Sequence, residues 1–504
     1  MTHRTAVNRV HRDVQEQARG ASRARVGRRF FGDTPRQLRL WTAALAALAV
    51  ALGVVFALAL GHDSAGFSGL RARTAEVSAT GDLYYELNDM DAQAANALLV
   101  GFHPADPSMV PAAVDAAASV SVYGHDRSAA DADLALIARN PRLTGQAEQL
   151  IDDLGSYEAL IAQALYVDQN TGDEQPAAPP AAALGAYSRA SSMLHATLLP
   201  LSLRITDADS TAVDGSYAGE HAQAVGYGYA VLALALVTAF ALYLGNRYHA
   251  RRFRRRISAL AGGLVVALVL GGLGLATQLG AAAHLHEAKQ EAYDSINALT
   301  RARAVSDDAN ADESRWLLEG RPAALQASFF QKIGTVAGVS GVSADDAAAD
   351  PQAYYSGLSG AVGALHLDAA ADSVAKVTIG GYLGTELNNI TFAGEAQAAY
   401  DATRAFDTYV QDDATIRADA ASGDAADAVA FDIGVQPGAS NYAFNQYMAK
   451  LGAVIQINET AFAAGIAAGQ SGIGAPTWAV MIVGDLLVLL LITEAARVRL
   501  REYH

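Results

Sequence analysis

The sequence contains no cysteine. That excludes a disulfide, a thiolate nucleophile and any Cys-ligated metal, so whatever folds outside a membrane is held by packing alone. Charge is scarce, at 17% of residues, and aromatics make up only 7%. The cations are also unevenly placed. Residues 1–39 carry ten Lys/Arg against three Asp/Glu, a charge of +7; residues 246–256 carry six Arg and no acid; residues 496–504 add +2. The whole chain is at −16, which leaves −31 for everything else. Basic segments flanking apolar runs, with acid elsewhere, mark a membrane protein with cytoplasmic basic edges and acidic outer domains. The acidity therefore says nothing about nucleic acid, and no nucleic-acid partner is expected. At 504 residues the chain exceeds one compact domain.

What the chain has in abundance is long apolar runs. Spans are expected at 40–61, 226–245, 257–279 and 473–495. Each is long enough, at about 1.5 Å per residue, to cross roughly 30 Å of hydrocarbon. The loop NRYHARRFRRR at 246–256 holds Arg247, Arg251, Arg252, Arg254, Arg255 and Arg256 between two spans. Such a loop is retained in the cytoplasm. It fixes the topology of a multi-pass plasma-membrane protein: a cytoplasmic basic arm (1–39), a first outer segment (62–225), the Arg-rich loop, a second outer segment (280–472) and a cytoplasmic tail (496–504). The first apolar run and the basic stretch before it are too long for a cleaved signal peptide, so it is read as an uncleaved span.

Both outer segments read as helical. Leu83, Leu87, Met90, Ala94, Ala97 and Leu98 recur at three and four, one apolar stripe, which Gly101 and two X-Pro steps end. A second helix is expected over about 108–139 with an interruption near Tyr123-Gly124. A third is expected over 143–167, with Leu150, Leu154, Tyr157, Ile161 and Leu165 on one face. A loop follows at 168–180, and a fourth helix from about Ala181 is kinked by Pro200. In the second segment, 304–320 aligns without a gap on 85–101 at an offset of 219, and the same offset carries 41–60 onto 260–279. Two features at one offset point to an internal duplication. Residues 335–372, rich in Gly, Ala and Asp, read as an irregular insertion, followed by helical spacing over 374–430 and 442–466. The expected fold class is an all-α membrane protein with four transmembrane helices and two extracytoplasmic antiparallel four-helix-bundle-like domains in tandem.

No sequence motif singles out a catalytic site, so an enzyme is not expected, nor is a cofactor. Asp485 lies inside the fourth span, where an ionised carboxylate costs roughly 2.5–3.5 kcal/mol. It either couples that span to Thr238, Thr277 or a second chain, or is a tolerated protonated acid. Gly263, Gly271 and Gly274 of the third span are read as a packing face. His284, His286 and Glu287 lack the i, i+4 spacing of a zinc-binding helix. The acidic pairs Asp307-Asp308, Asp345-Asp346 and Asp412-Asp413 lack the spacing of a calcium loop and are read as solvated helix faces. Tyr84, Tyr85, Asn88, Tyr187, Asn441, Tyr447 and Asn458 either flank the bundle or line a ligand surface.

The cytoplasm receives only an arm, a loop and a tail, so a signal would pass to a separate partner. Span, helical bundle, span resembles the sensory module of chemoreceptors and sensor kinases. The stretches AYSRASSMLHATLLP (186–200), SNYAFNQY (440–447), INETAF (457–462) and RLREYH (499–504) resemble the GlnX-type actinobacterial membrane sensors. That resemblance implies a relay of aspartate or glutamate availability from an outer solute-binding lipoprotein to a soluble Ser/Thr kinase, protein kinase G. A homo-oligomer is also compatible. A transporter or permease subunit and an envelope scaffold are the competing classes.

Overall fold

The computed structural model describes residues 34–104, 115–172, 175–253, 257–423 and 425–500. They divide into two compact units. One comprises residues up to 66 together with 220–283 and the chain from 469; the other comprises 67–219 and 284–468. Helices α1 (Thr34–Val100), α5 (Leu199–Phe253), α6 (Ser258–His286) and α14 (Ser440–Gly472) contribute residues to both.

The first unit holds the apolar stretches 41–60, 226–245, 257–279 and 473–493, carried by α1, α5, α6 and α15 (Ala475–Leu500). Among the described residues, four helical stretches are long and apolar enough to cross a membrane. Leu52, Phe56, Val231, Ala235 and Leu270 are buried between these helices, while Leu58, Phe240, Val269, Val483 and Leu490 are each more than half exposed. Such a display of large apolar side chains marks a membrane-facing surface.

The second unit gathers both acidic segments around shared cores. From the first segment it takes the outer part of α1, α2 (Ala116–Ile137), α3 (Thr144–Gln169), α4 (Ala181–Met193) and the start of α5. The stripe on α1 faces inward as its spacing predicts, every member of it buried, as are Leu150, Leu154, Tyr157 and Ile161 of α3. Burial of each such large side chain contributes about 1.5–3 kcal/mol. Helix α2 is not interrupted at Gly124. Its start is fixed instead by Asp115, whose side chain accepts from the Ala118 amide, and one interior glycine costs only about 1 kcal/mol. Ahead of Pro200, Leu194–Leu198 form a π turn. Proline has no N–H to give to the preceding turn and its ring crowds that turn's carbonyl; the wider turn absorbs this without ending the helix.

From the second segment the unit takes a π turn (Glu287–Tyr293), α7 (Asp294–Leu318), α8 (Ala323–Val336), α9 (Ala344–Ala349), α10 (Pro351–Ala364), α11 (Gly381–Leu387), α12 (Glu395–Ser422), α13 (Ala425–Asp432) and most of α14. The stretch expected to be an irregular insertion instead contains α9 and α10. It leads into an antiparallel hairpin, β1 (His366–Asp368) and β2 (Ser373–Ala375), which pairs Leu367 with Val374.

Helix α7 lies along the outer part of α1, in the same direction. Gly81 is so close to Thr300 that a Cβ on it would sit 2.5 Å from the Thr300 methyl. Farther along, Asp82 pairs with Arg303 and Asn96 accepts from Ser314 at 2.8 Å. The sequence offset of 219 is therefore also close to the offset at which the two helices touch. Gly101 and Gly320, equivalent at that offset, stand just past the two helix ends with φ of +76° and +77°, a left-handed conformation open to glycine.

Candidate functional site

Every residue from Ser306 to Leu318 of α7 is buried, although the run SDDANADESR is almost wholly polar. A helix enclosed on all sides is normally apolar. This one is sustained by partners on the surrounding helices, and its faces differ in how completely they are partnered.

One face carries Asp308, Asp312 and Arg315. The guanidinium meets Asp308 at 3.0 Å, Asp312 at 2.5 Å and, across from α1, Asp91 at 3.3 Å. Lys332 of α8 adds contacts of 2.8 Å to Asp308 and 2.5 Å to Asp312. Asp91 also accepts from the hydroxyls of Tyr157 (3.2 Å), Tyr187 (3.1 Å) and Ser191 (2.9 Å). His195, brought in by the π turn, lies 3.1 Å from Asp308. Burial opposes the charge on Asp308, but Lys332, His195 and Arg315 overcome it and hold the carboxyl well below the usual range. The same carboxylates raise Arg315 despite its burial.

A second face carries Glu313, which accepts from the Tyr409 hydroxyl at 2.6 Å. Around it are Asp432, which accepts from Ser314 at 2.9 Å, and Asp413, which is held by Tyr355 and by Arg417 at 2.7 Å. Burial pushes Asp432 up to about 7.

The third face opens on a cavity of about 250 Å³, room for roughly eight waters at 30 Å³ each. Its walls are Tyr85, Asp89, Gln93 and Asn96 of α1, Ser119 and Val122 of α2, Asp307 and Asn310 of α7, and Asn441, Phe444 and Asn445 of α14. None of these is cationic. Asp89 accepts from Gln93 at 2.8 Å and Tyr85 at 3.4 Å. Asp307 is 2% exposed and its Oδ2 has no hydrogen-bond partner among the described residues. Burial, and then the neighbouring charges of Asp89, Asp308, Asp126 and Glu86, push its carboxyl well above the usual range. The same two causes, burial first, bring Asp126 to about 8 and Glu86 to about 7.

Residues 67–218 match the actinobacterial sensor domain family. That similarity points to a sensing role, and the matched segment supplies the α1 and α2 walls of the cavity. No curated protein and no solved structure matches the chain.

The residues singled out from sequence fall into distinct places. Two of the three acidic pairs are not solvated faces: Asp307 and Asp308 are both buried, and so is Asp413. A polar run gives no local sign of the partners that permit its burial. Asp345 and Asp346 are exposed, Asp346 closing a capping box with Ser343. Of the Tyr/Asn set, Tyr85 and Asn441 line the cavity, whereas Tyr187 binds Asp91, Tyr447 meets Ser306, Asn458 donates to Glu395, and Asn88 donates to the Tyr84 carbonyl. His284 faces Glu287 at 3.3 Å and His286 the Tyr217 hydroxyl at 3.2 Å. Among the described residues no three His, Cys, Asp or Glu side chains converge as metal ligands would.

In the other unit, Asp485 rests against Gly53 of α1: a Cβ there would lie 2.5 Å from its Oδ2. Thr238 donates to the carbonyl of Leu234 rather than to Asp485. Cβ atoms built on Gly271 and Gly274 would come within 2.5 Å of Ala235 and Val231 of α5, and Gly263 faces Leu242 and Leu491. Arg247 and Arg251 are exposed. Arg254, Arg255 and Arg256 lie outside the described residues, as does the side chain of Arg252.

Proposed function

We propose that the chain is a transmembrane sensor that reads an extracytoplasmic cue with the unit formed by 67–219 and 284–468 and passes it to a separate cytoplasmic partner. The observation that carries this reading is the coincidence of the sensor-family match with the walls of the polar cavity. Four apolar helices and a basic loop at 246–256 support a multi-pass plasma-membrane protein with both termini and that loop inside. The shared register of α1 and α7 supports an internal duplication. By the resemblance to GlnX-type sensors, the partner is a soluble Ser/Thr kinase and the cue is aspartate or glutamate availability, presented by a solute-binding lipoprotein. An acidic cavity repels an anionic amino acid, so that cue would act through the docked lipoprotein. A small shift of the helices that contribute to both units, favoured by a partner that binds one state better, is a sufficient output.

The test is in-cell crosslinking, mild-detergent purification and identification of bound proteins, alongside a topology reporter fused at residue 250. A Ser/Thr kinase and a solute-binding lipoprotein in the eluate, with an internal reporter, are expected. An external reporter, or an eluate of cell-wall enzymes alone, would overturn the reading.

A further inference from the structure

We propose that the cavity between α1, α2, α7 and α14 is a binding site for a small organic cation, a protonated amine. The inference rests on the sensor reading and names the ligand class of that site. It begins with Asp307, a buried carboxylate with an unpartnered oxygen at the wall of a cavity that has no cationic lining residue. A buried carboxylate is costly unless something of opposite charge or a donor meets it. The contrast with its chain neighbour is direct, since Asp308 has Arg315 and Lys332 within 3.0 Å. Folds break such rules where a ligand completes the arrangement. Asp89 on the facing helix supplies a second carboxylate at the same cavity. A protonated amine between the two would neutralise them and donate to both.

Two further observations separate an amine from a bare metal ion. The remaining polar walls are neutral amides on three helices, including Asn96, Asn310 and Asn445, suited to hydrogen-bonding the rest of a small organic molecule. Phe444 adds an aromatic ring, a surface that attracts ammonium groups. A divalent ion would need several more oxygen ligands converging on one point, and no such cluster occurs among the described residues. The charged groups around Asp307 are Asp89 and Glu86 of α1, Asp126 of α2 and Asp308 of α7, with Arg303 acting on Glu86 and the exposed His125 lying 3.6 Å from Asp126. The helix α14 wall presents neutral side chains.

The experiment uses the full chain in lipid nanodiscs at pH 7.5, with thermal shift and calorimetry. The probes are 1,4-diaminobutane and lysinamide, with 1,4-butanediol and glutamate as uncharged and anionic comparisons. The amines should bind and raise the unfolding midpoint, the other two should not, and Asp307→Asn and Asp89→Asn should each weaken amine binding at least about tenfold. Without ligand, Asp307→Asn should unfold at a higher temperature than wild type, because it removes an unpartnered carboxylate. A residue with a purely structural bond would shift the other way. Amine binding that survives both substitutions overturns the proposal, as does failure of both amines to bind. A cavity-filling Val122→Trp variant tells the two readings apart. Glutamate binding that this variant abolishes would keep the sensory cavity and sink the cation class. No probe binding, together with an unchanged set of co-purifying proteins in Val122→Trp, would remove both.

Discussion

Asp307 and Asp308 are adjacent on one helix, equally buried, and opposite in electrostatic situation. Asp308 belongs to a closed network in which Arg315 and Lys332 answer Asp91, Asp308 and Asp312, and hydroxyl groups fill the remaining acceptor positions on Asp91. Asp307 shares its side of the helix with Asp89, Asp126 and Glu86 and lacks a cation of its own. One helix turn of about 100° per residue is enough to separate the two environments. The first face is finished as built; the second is left open.

The largest effect should come from breaking the finished face. Arg315→Ala strands Asp91, Asp308 and Asp312 without their shared counter-charge and should destabilise the unit by about 3–5 kcal/mol, read as a lowered denaturant midpoint in detergent. An unchanged midpoint would mean the network is not closed by this arginine. Lys332→Met should cost less, about 1.5–3 kcal/mol, because Arg315 remains on the same two carboxylates; a loss as large as that of Arg315→Ala would place the centre of the network on α8. The smallest effect is the response to pH. Asp126 and Glu386, at about 8, and Glu86 and Asp432, at about 7, are protonated in the fold when their unfolded counterparts, with pKa values near 4, are ionised. Their contribution is full below pH 4 and is lost as pH rises through about 7–8. Asp308, held low, is lost only in strong acid. The unfolding midpoint should therefore fall between pH 6 and 9, and Asp126→Asn should flatten the fall. A midpoint that rises over that range would show these carboxyls to be paired after all.

Much of the fold can be read from spacing. The α1 stripe, the α3 stripe, the four apolar runs and the two glycine-ended helices follow from periods of three and four and from the conformation Gly101 and Gly320 alone tolerate well. The site is far less legible. Nothing local distinguishes SDDANADESR in solvent from the same run enclosed in protein; the difference lies in Asp91, Tyr187, Ser191 and His195, more than a hundred positions away in the chain, and in Lys332 and Arg417. Tyr85 and Asn441 could be named as ligand-surface residues because tyrosine and amide side chains stand out on an outer helix. Asp307 could not, since an aspartate in an acidic run looks like ordinary solubilising charge. The gap at residues 105–114 also leaves the predicted beginning of the second helix outside the described residues.

The π turns at Leu194–Leu198 and Glu287–Tyr293 each hold one residue more than an α-helical path requires. Deleting a single residue inside either one would leave an unbroken rod whose downstream faces are re-phased by about 100°. The molecule thus carries two built-in places where a geneticist can impose a known twist without touching the cavity walls, and ask which orientation the cell reads as occupied.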